Sequence, residues 1–250
     1  MRYYWEDARW PWRADESLRR FVRRAGKAGA PRLRSGQAPR LFQTKKSSPQ
    51  RRRDRRESAE RSKQPLRALD LGMGYGRNAI WLARQGYEVE GWETDARYVR
   101  EARREARRLG LALKARRGDF ARGRWRGPYE VVVISFALHQ LRRSTALRVL
   151  RRARKALAPN GTIFLLAKLV DDRYSESLQR REDWVPVAGE RNTFRHQKRG
   201  WVLSAVEPGE IRAALRGLKV RHYRETVLTS RWGNEPVGHR VAEVVAQRKS

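Results

Sequence analysis

The chain reads as an α/β protein: a doubly wound sheet of about seven strands, mostly parallel, with an antiparallel strand pair near its C-terminal end. Three observations predict this. From Leu66 onward, short apolar runs alternate with segments of helical period, the pattern of a parallel sheet wrapped by helices on both faces. The run VVVI at 131–134 is apolar at every position, as a strand buried on both faces requires. Two late strands, Leu218–Val227 and Gly238–Ala246, are joined by the turn Trp232-Gly233-Asn234-Glu235-Pro236, with no helix between them.

The elements follow in order. Leu66–Leu71 is a strand, Arg77–Gln85 a helix and Tyr87–Trp92 a second strand. Asp95–Leu109 is a helix whose apolar face is Ala96, Val99, Ala102, Ala106 and Leu109; Arg97, Arg100, Arg103, Arg104, Arg107 and Arg108 fill the remainder. Leu111–Arg116 is a third strand and Tyr129–Ser135 a fourth. After the helix Thr145–Leu157, Pro159-Asn160-Gly161 turns into the strand Thr162–Lys168. Leu169–Val206 is an insertion, and Pro208–Arg216 a helix ahead of the final pair. No internal repeat is present.

Upstream, residues 31–64 interrupt the apolar periodicity with Pro, Ser, Gln and the run RRRDRR, which predicts a basic, disordered linker. Before it, Leu18, Phe21, Val22 and Ala25 stand at helical spacing within Ala14–Ala25, behind Asp15-Glu16-Ser17. An amphipathic helix that docks on the main domain is expected there. Ahead of it Tyr3, Tyr4, Trp5, Trp10 and Trp12 form an aromatic cluster suited to capping the core or walling a pocket. The expected division is an N-terminal segment at 1–30, the linker at 31–64 and the main domain at 65–250, with 169–206 as its insertion.

Composition narrows the function. Without cysteine, the chain has no disulfide, thiolate metal site or Cys nucleophile. Its four histidines are scattered without metal-ligand spacing, so no metal is expected. No apolar run spans a bilayer and the N-terminus lacks a signal-peptide pattern, so the expectation is a cytoplasmic protein with no membrane partner. The net charge is +32, of which residues 31–64 contribute +9 and residues 65–250 contribute +19. Such a field attracts polyanions, nucleic acid first, and acidic small molecules too. It suits equally a solvated basic surface with no specific partner.

The stretch Leu69-Asp70-Leu71-Gly72-Met73-Gly74-Tyr75-Gly76 runs from strand end to helix start, ahead of Asn78. Glycines let such a loop take positive φ and approach a ligand closely, and the helix start offers free N–H groups. A dinucleotide loop has the spacing G-x-G-x-x-G, but here Arg77 occupies the third glycine position. Asp70, two residues ahead of the first glycine, would repel a phosphate and favour an ammonium or sulfonium. Glu93 ends the next strand, 21 residues beyond Gly72, where an acid accepts hydrogen bonds from both ribose hydroxyls. A ligand with ribose, a positive charge and no phosphate fits both acids, and S-adenosylmethionine has those parts.

At these residues the chain resembles the class I S-adenosylmethionine-dependent methyltransferases, over most of 65–250. LDLGMGYGRN is similar to the family's first motif, with Asp70, Gly72, Gly74, Gly76 and Asn78 as its cofactor-binding positions. The resemblance implies a Rossmann-like sheet, with Glu93 and the adjoining Thr94 at the ribose. RRGDF places Asp119 like the residue that meets the adenine amino group, with Phe120 beside it. In YEVVVISFALHQL, Ser135 and Phe136 would line the methionine end. GRN with LARQGYEV, and the C-terminal segment, most resemble the small-molecule branch that includes tellurite-resistance-type enzymes. Met73 departs from the Cys or small residue common in the loop, and Glu93 from the more frequent Asp.

Methyl transfer is an in-line displacement in which the enzyme chiefly aligns nucleophile and methyl, so no catalytic dyad is needed. His139, after the fourth strand, could take a proton from the nucleophile or simply wall the pocket. Tyr174, Trp184, Phe194, His196 and Trp201 in the insertion suit a lid that selects the acceptor. SFAL replaces the N/D-P-P-Y/F tetrapeptide that orients planar nitrogens, which counts against methylation of base amino groups. The expectation is therefore methyl transfer to a small molecule. An RNA or protein acceptor gripped by the basic surface, and a cofactor-binding module without catalysis, are the alternatives.

Overall fold

The computed structural model describes Asp15, residues 18–20, Val22, 65–171, Gln179, 182–232 and 235–249, with backbone alone at 229–232 and 235–237. The aromatic cluster at 3–12, the linker at 31–64 and Tyr174 lie outside the described residues. Within 15–66, Leu18, Arg19, Arg20 and Val22 are helical, and the Arg19 N–H donates to the Asp15 carbonyl at 3.0 Å. Leu18 and Val22, four apart, are both buried.

The main sheet has seven strands in the order β3-β2-β1-β4-β5-β10-β9. They are β1 (Arg67–Leu71), β2 (Glu88–Glu93), β3 (Leu113–Arg117), β4 (Tyr129–Ser135), β5 (Leu157–Lys168), β9 (Leu218–Trp232) and β10 (Glu235–Arg248). Strands β1 to β5 run parallel, and β10 and β9 close the edge antiparallel. The helices are α1 (Arg77–Arg84), α2 (Ala96–Arg108), α3 (Arg143–Lys155) and α4 (Pro208–Ala214). The chain moves outward from β1 through β2 to β3 and returns to β4 on the other side. The C-terminal ends of β1 and β4 therefore flank the switch point, where open α/β sheets bind ligands.

Register sorts side chains between two faces. Leu69, Leu71, Val132, Ile134, Ile163, Leu165, Ala167, Leu169, Ala242 and Val244 join Ala146, Val149, Leu150 and Ile211 in the main core, beneath α3 and α4. Asp70 pairs with Val133, Val133 with Phe164, Ser135 with Leu166 and Lys168 with Val241. These alternate positions face the opposite side of the sheet. Local chemistry fixes helix starts: the Asp95 side chain accepts from the Arg97 N–H at 2.7 Å ahead of α2. Glu207 and Glu210 form a capping box ahead of α4, with Pro208 in its first turn.

Three boundaries differ from expectation. Pro159-Asn160-Gly161 is not a turn before the strand but lies inside β5, opposite a register shift between Tyr129 and Val131. Asn160 takes φ 60°, and a Cβ on Gly161 would meet the Tyr129 carbonyl oxygen at 2.7 Å, so the three residues build an irregularity within the strand. The late pair is longer than expected, because pairing continues from Leu218 opposite Arg248 to Trp232 opposite Glu235. Trp232, Glu235 and Pro236, read from sequence as turn residues, lie in the strands. The insertion contains its own antiparallel sheet, β6 (Trp184–Pro186), β7 (Thr193–His196) and β8 (Val202–Ser204). Among the described residues no helix is long and apolar enough to cross a membrane.

Candidate cofactor and acceptor site

The glycine loop begins where β1 ends. Gly72 and Met73 both donate backbone N–H groups to the Trp92 carbonyl, at 2.9 and 3.0 Å, which ties the loop to the end of β2. Gly72, Gly74 and Gly76 all take positive φ, at 72°, 55° and 84°. At Gly72 space is the second constraint: a Cβ would stand 2.4 Å from the Ala137 Cβ, because the segment after β4 lies directly against the loop. At Gly74 a Cβ would meet nothing within 4 Å, so the loop opens there onto free space. Gly76 caps α1 without a side-chain hydrogen bond, and buried Asn78 sits in the first turn of that helix.

The residue between the first two glycines is an anchor. Met73 is buried with Val99, Ala102 and Ala115, and its Sδ occupies the position that a Cβ on Gly91 would need. Tyr75, the other intervening residue, packs against Tyr98 of α2, with ring centroids 4.2 Å apart and planes tilted by 49°. The loop is thus pinned from below at both non-glycine positions.

Three carboxylates surround it. Asp70 is 1% exposed near the end of β1. Glu93 at the end of β2 is half-buried and accepts four hydrogen bonds. Its Oε2 takes the Gly74 N–H at 3.0 Å. Its Oε1 takes the Thr94 N–H at 2.7 Å, the Thr94 hydroxyl at 3.1 Å and the Asp95 N–H at 2.9 Å. Asp119 follows β3 and accepts the Ala121 N–H at 2.8 Å through Oδ1. Its neighbour Phe120 is buried, with Cε1 3.5 Å from the Cβ position at Gly72. The residues read from sequence as cofactor contacts thus come from the ends of β1, β2, β3 and β4 and meet around one loop.

The segment after β4 forms the other wall. Ser135 is half-buried at the strand end. Phe136 takes φ 51°, uncommon for a bulky residue, while its N–H donates to the Leu166 carbonyl at 2.9 Å. This conformation turns the chain into the short 3₁₀ segment Leu138–Gln140, whose His139 meets the Phe136 ring edge-on at 6.1 Å. The His139 Nδ1 is buried and has no hydrogen-bond partner among the described residues. Burial, with Lys168 and His239 adding like charge, pushes the His139 pKa down to about 3. The ring is neutral at physiological pH, and a base with so acidic a conjugate acid is a poor proton acceptor.

Sequence reasoning passed over Ala137, whose methyl group sets the gap to Gly72, and Lys168 at the end of β5. A small residue after a strand and a single lysine in an apolar run carry no pattern that separates them from ordinary packing and a solvated strand end. Among the described residues no group of three or more His, Asp or Glu is placed to hold a metal ion.

This geometry admits a specific kind of ligand. Open space at Gly74 gives it room, the carboxylates of Asp70, Glu93 and Asp119 accept hydrogen bonds or oppose a cation, and among the described residues Glu93 Oε2 takes one hydrogen bond. Known proteins resemble the chain in sequence and fold. Residues 68–161 match a family model described as a methyltransferase domain. A ribosomal RNA small subunit methyltransferase C from Alcanivorax borkumensis is 30% identical over 141 residues, 52% of this chain and 41% of that protein. The chain therefore spans about two fifths of that relative's length. A SAM-dependent methyltransferase structure from Methanosarcina mazei aligns with a TM-score of 0.59 at 19% identity, over 77% of this chain and 97% of that one. TehB from Haemophilus influenzae aligns at 0.58 with 16% identity, over 77% and 61%. The matched domain spans the glycine loop through the bend in β5, and the chain shares its fold with S-adenosylmethionine-dependent methyltransferases.

Proposed function

We propose that this chain transfers the methyl group of S-adenosylmethionine to a small-molecule acceptor. One observation carries the choice of acceptor class: the insertion folds back over the C-terminal edge of the sheet. Its β8 packs on the 3₁₀ segment after β4, and Leu169 bridges Val206 where the insertion leaves and rejoins the domain. Glu190 in the loop between β6 and β7 accepts the Ser144 N–H at 2.9 Å, and bonds the Ser144 hydroxyl as well. The edge where an acceptor must enter is thereby walled on its insertion side, which suits a compact substrate.

Bound S-adenosylmethionine supplies a methyl group activated on a sulfonium. The protein's part is placement. Asp70 opposes the cationic end, and Gly72, Gly74 and Gly76 let the backbone approach. Asn78 supports the start of α1. Glu93, with Thr94 alongside, receives the ribose hydroxyls. Asp119 meets the adenine amino group, and Phe120 packs beside the base. Ser135 and Phe136 line the end where the methyl is presented. Neutral His139 walls that end and excludes water.

Calorimetric titration tests the cofactor half. Asp70→Ala and Glu93→Ala should each weaken binding of S-adenosylmethionine at least 10-fold, and parent-like affinity in both would refute the assignment. A screen of thiol, amine and hydroxyl acceptors with methyl-labelled cofactor tests the other half. A second reading, an RNA acceptor, draws support from the +32 net charge and from the relative named for ribosomal RNA. RNA binding whose affinity falls steeply with salt, together with label transfer to RNA alone, would favour it over a small molecule.

A further inference from the structure

Lys168 is 5% exposed at the last position of β5. A buried lysine in the strand next to the proposed methyl position calls for an explanation, since the amine must be paired or neutral to stay there. Its place in the sheet is defined by register. Ser135 pairs with Leu166, so Lys168 lies two residues, about 6.6 Å, past the level of Ser135. By alternation it shares the face of Asp70 and Ser135, opposite the Leu165, Ala167 and Leu169 side chains buried under α3 and α4.

Among the described residues, three titratable groups face Lys168. His239 on β10 puts its Nδ1 3.3 Å from the Lys168 Nζ. His139 approaches from the 3₁₀ segment after β4, and Asp171 from the chain following β5. Burial lowers the Lys168 pKa to about 7, with Asp171 acting in the opposite sense. Burial and the like charge of Lys168 lower His239 to about 4, again against Asp171. Near neutral pH the pair thus holds a largely neutral imidazole and an amine poised between its two states.

We propose that Lys168 is the proton acceptor for the methyl acceptor, with the half-exposed His239 ring linking its buried amine to solvent. The proposal rests on the methyltransferase reading above. The acceptor's lone pair forms the new bond to the methyl carbon as the carbon–sulfur bond breaks and its electrons stay on sulfur. The acceptor's proton passes to the neutral Lys168 amine, giving an ammonium, which returns the proton to water by way of His239. Acceptors with a dissociable proton on sulfur, nitrogen or oxygen fit this site. An acceptor lacking one would need no such group.

A titration of the full chain tests the placement without knowledge of the acceptor. The ε-carbon of lysine is labelled with 13C, the Lys168 signal is assigned with Lys168→Arg, and its midpoint is read by NMR in the presence of either S-adenosylmethionine or S-adenosylhomocysteine. Only the former carries a sulfonium charge. If Lys168 faces the methyl position, its midpoint lies near 7 in the free protein. It falls by about half to one and a half pH units in the charged complex relative to the neutral one, as expected for a like charge several ångströms away. Equal midpoints, with both ligands bound by calorimetry, would overturn the role of Lys168 and leave the cofactor reading standing. Failure of either ligand to bind would overturn both. On an acceptor from the screen, Lys168→Met should lower kcat about 100-fold or more while leaving cofactor affinity within about twofold. Parent-like kcat would also overturn the proposal.

Discussion

Replacing Glu93 with Gln separates two roles for one carboxylate. The side chain accepts four hydrogen bonds from its own chain, one from Gly74 and three from Thr94 and Asp95. An amide keeps a single acceptor oxygen. Turned toward Thr94 and Asp95 it retains three bonds in weaker, uncharged form, and its NH2 then confronts the Gly74 N–H, donor against donor. A hydrogen bond to a charged group contributes about 1.5–3 kcal/mol and a neutral one about 0.5–1.5 kcal/mol. Glu93 is half-buried, so water recovers part of the loss, and a net destabilisation of about 1–3 kcal/mol is expected. Urea unfolding of the ligand-free protein measures this directly. Calorimetry with S-adenosylmethionine measures the second role, where a ribose contact adds a loss in affinity of about 10-fold beyond the stability effect. A ligand-free variant as stable as the parent would refute the loop-tether role. An intact affinity would refute the ribose role.

Other perturbations follow from the same geometry. Gly72→Ala drives a Cβ to 2.4 Å from the Ala137 Cβ at a φ of 72°, so about 2–4 kcal/mol of stability and most cofactor affinity should be lost. Gly91→Ala collides instead with the flexible Met73 side chain and should lose about 1 kcal/mol; the opposite ranking in urea unfolding would contradict the packing described. His139 is held neutral with a pKa of about 3, so the unfolded chain, near 6.5, takes up the proton first as pH falls. Stability from this group is present above about 6.5 and is lost on descending toward about 3. His139→Gln should therefore reduce the drop in unfolding free energy between pH 7 and 5 by about 1 kcal/mol, allowing for the partly exposed ring. An unchanged slope would count against it. Glu190→Ala unties the insertion from Ser144 and should raise KM for the acceptor severalfold with cofactor affinity unchanged; an effect confined to the cofactor would reverse that assignment.

Much of this architecture was legible because its signals are local. The fully apolar run in β4, the Arg-studded face of α2 and the glycine loop each declare themselves within a dozen residues. What was misread depends on distant partners. Pro159-Asn160-Gly161 has the composition of a turn, and only the Tyr129 carbonyl across the sheet explains why a strand continues through it. The β6–β8 sheet hides because Trp184, Phe194 and Leu203 pack together from three strands of only three or four residues, with no run long enough to show a period. At the site, the carboxylate identities could be read but not what they already bind. Glu93 was expected to await a ligand, yet it also fastens the loop. His139 stood out by residue type, while Lys168 did not, because burial of a lysine depends on β10, which pairs with β5 from more than 70 residues away.

The strand order has a further consequence, for synthesis. Strand β10 sits between β5 and β9, so β9 emerges from the ribosome before the neighbour that attaches it to the sheet. Until β10 is made, β5 presents an open edge and β9 is a long strand with nothing beside it, a period of exposure to pairing with other chains. The residues that face outward from β9 in the finished sheet, among them Lys219, Arg221 and Arg224, keep like copies apart through that interval. A chain stalled before Glu235 should therefore engage chaperones or aggregate, whereas one extended past Arg248 should not.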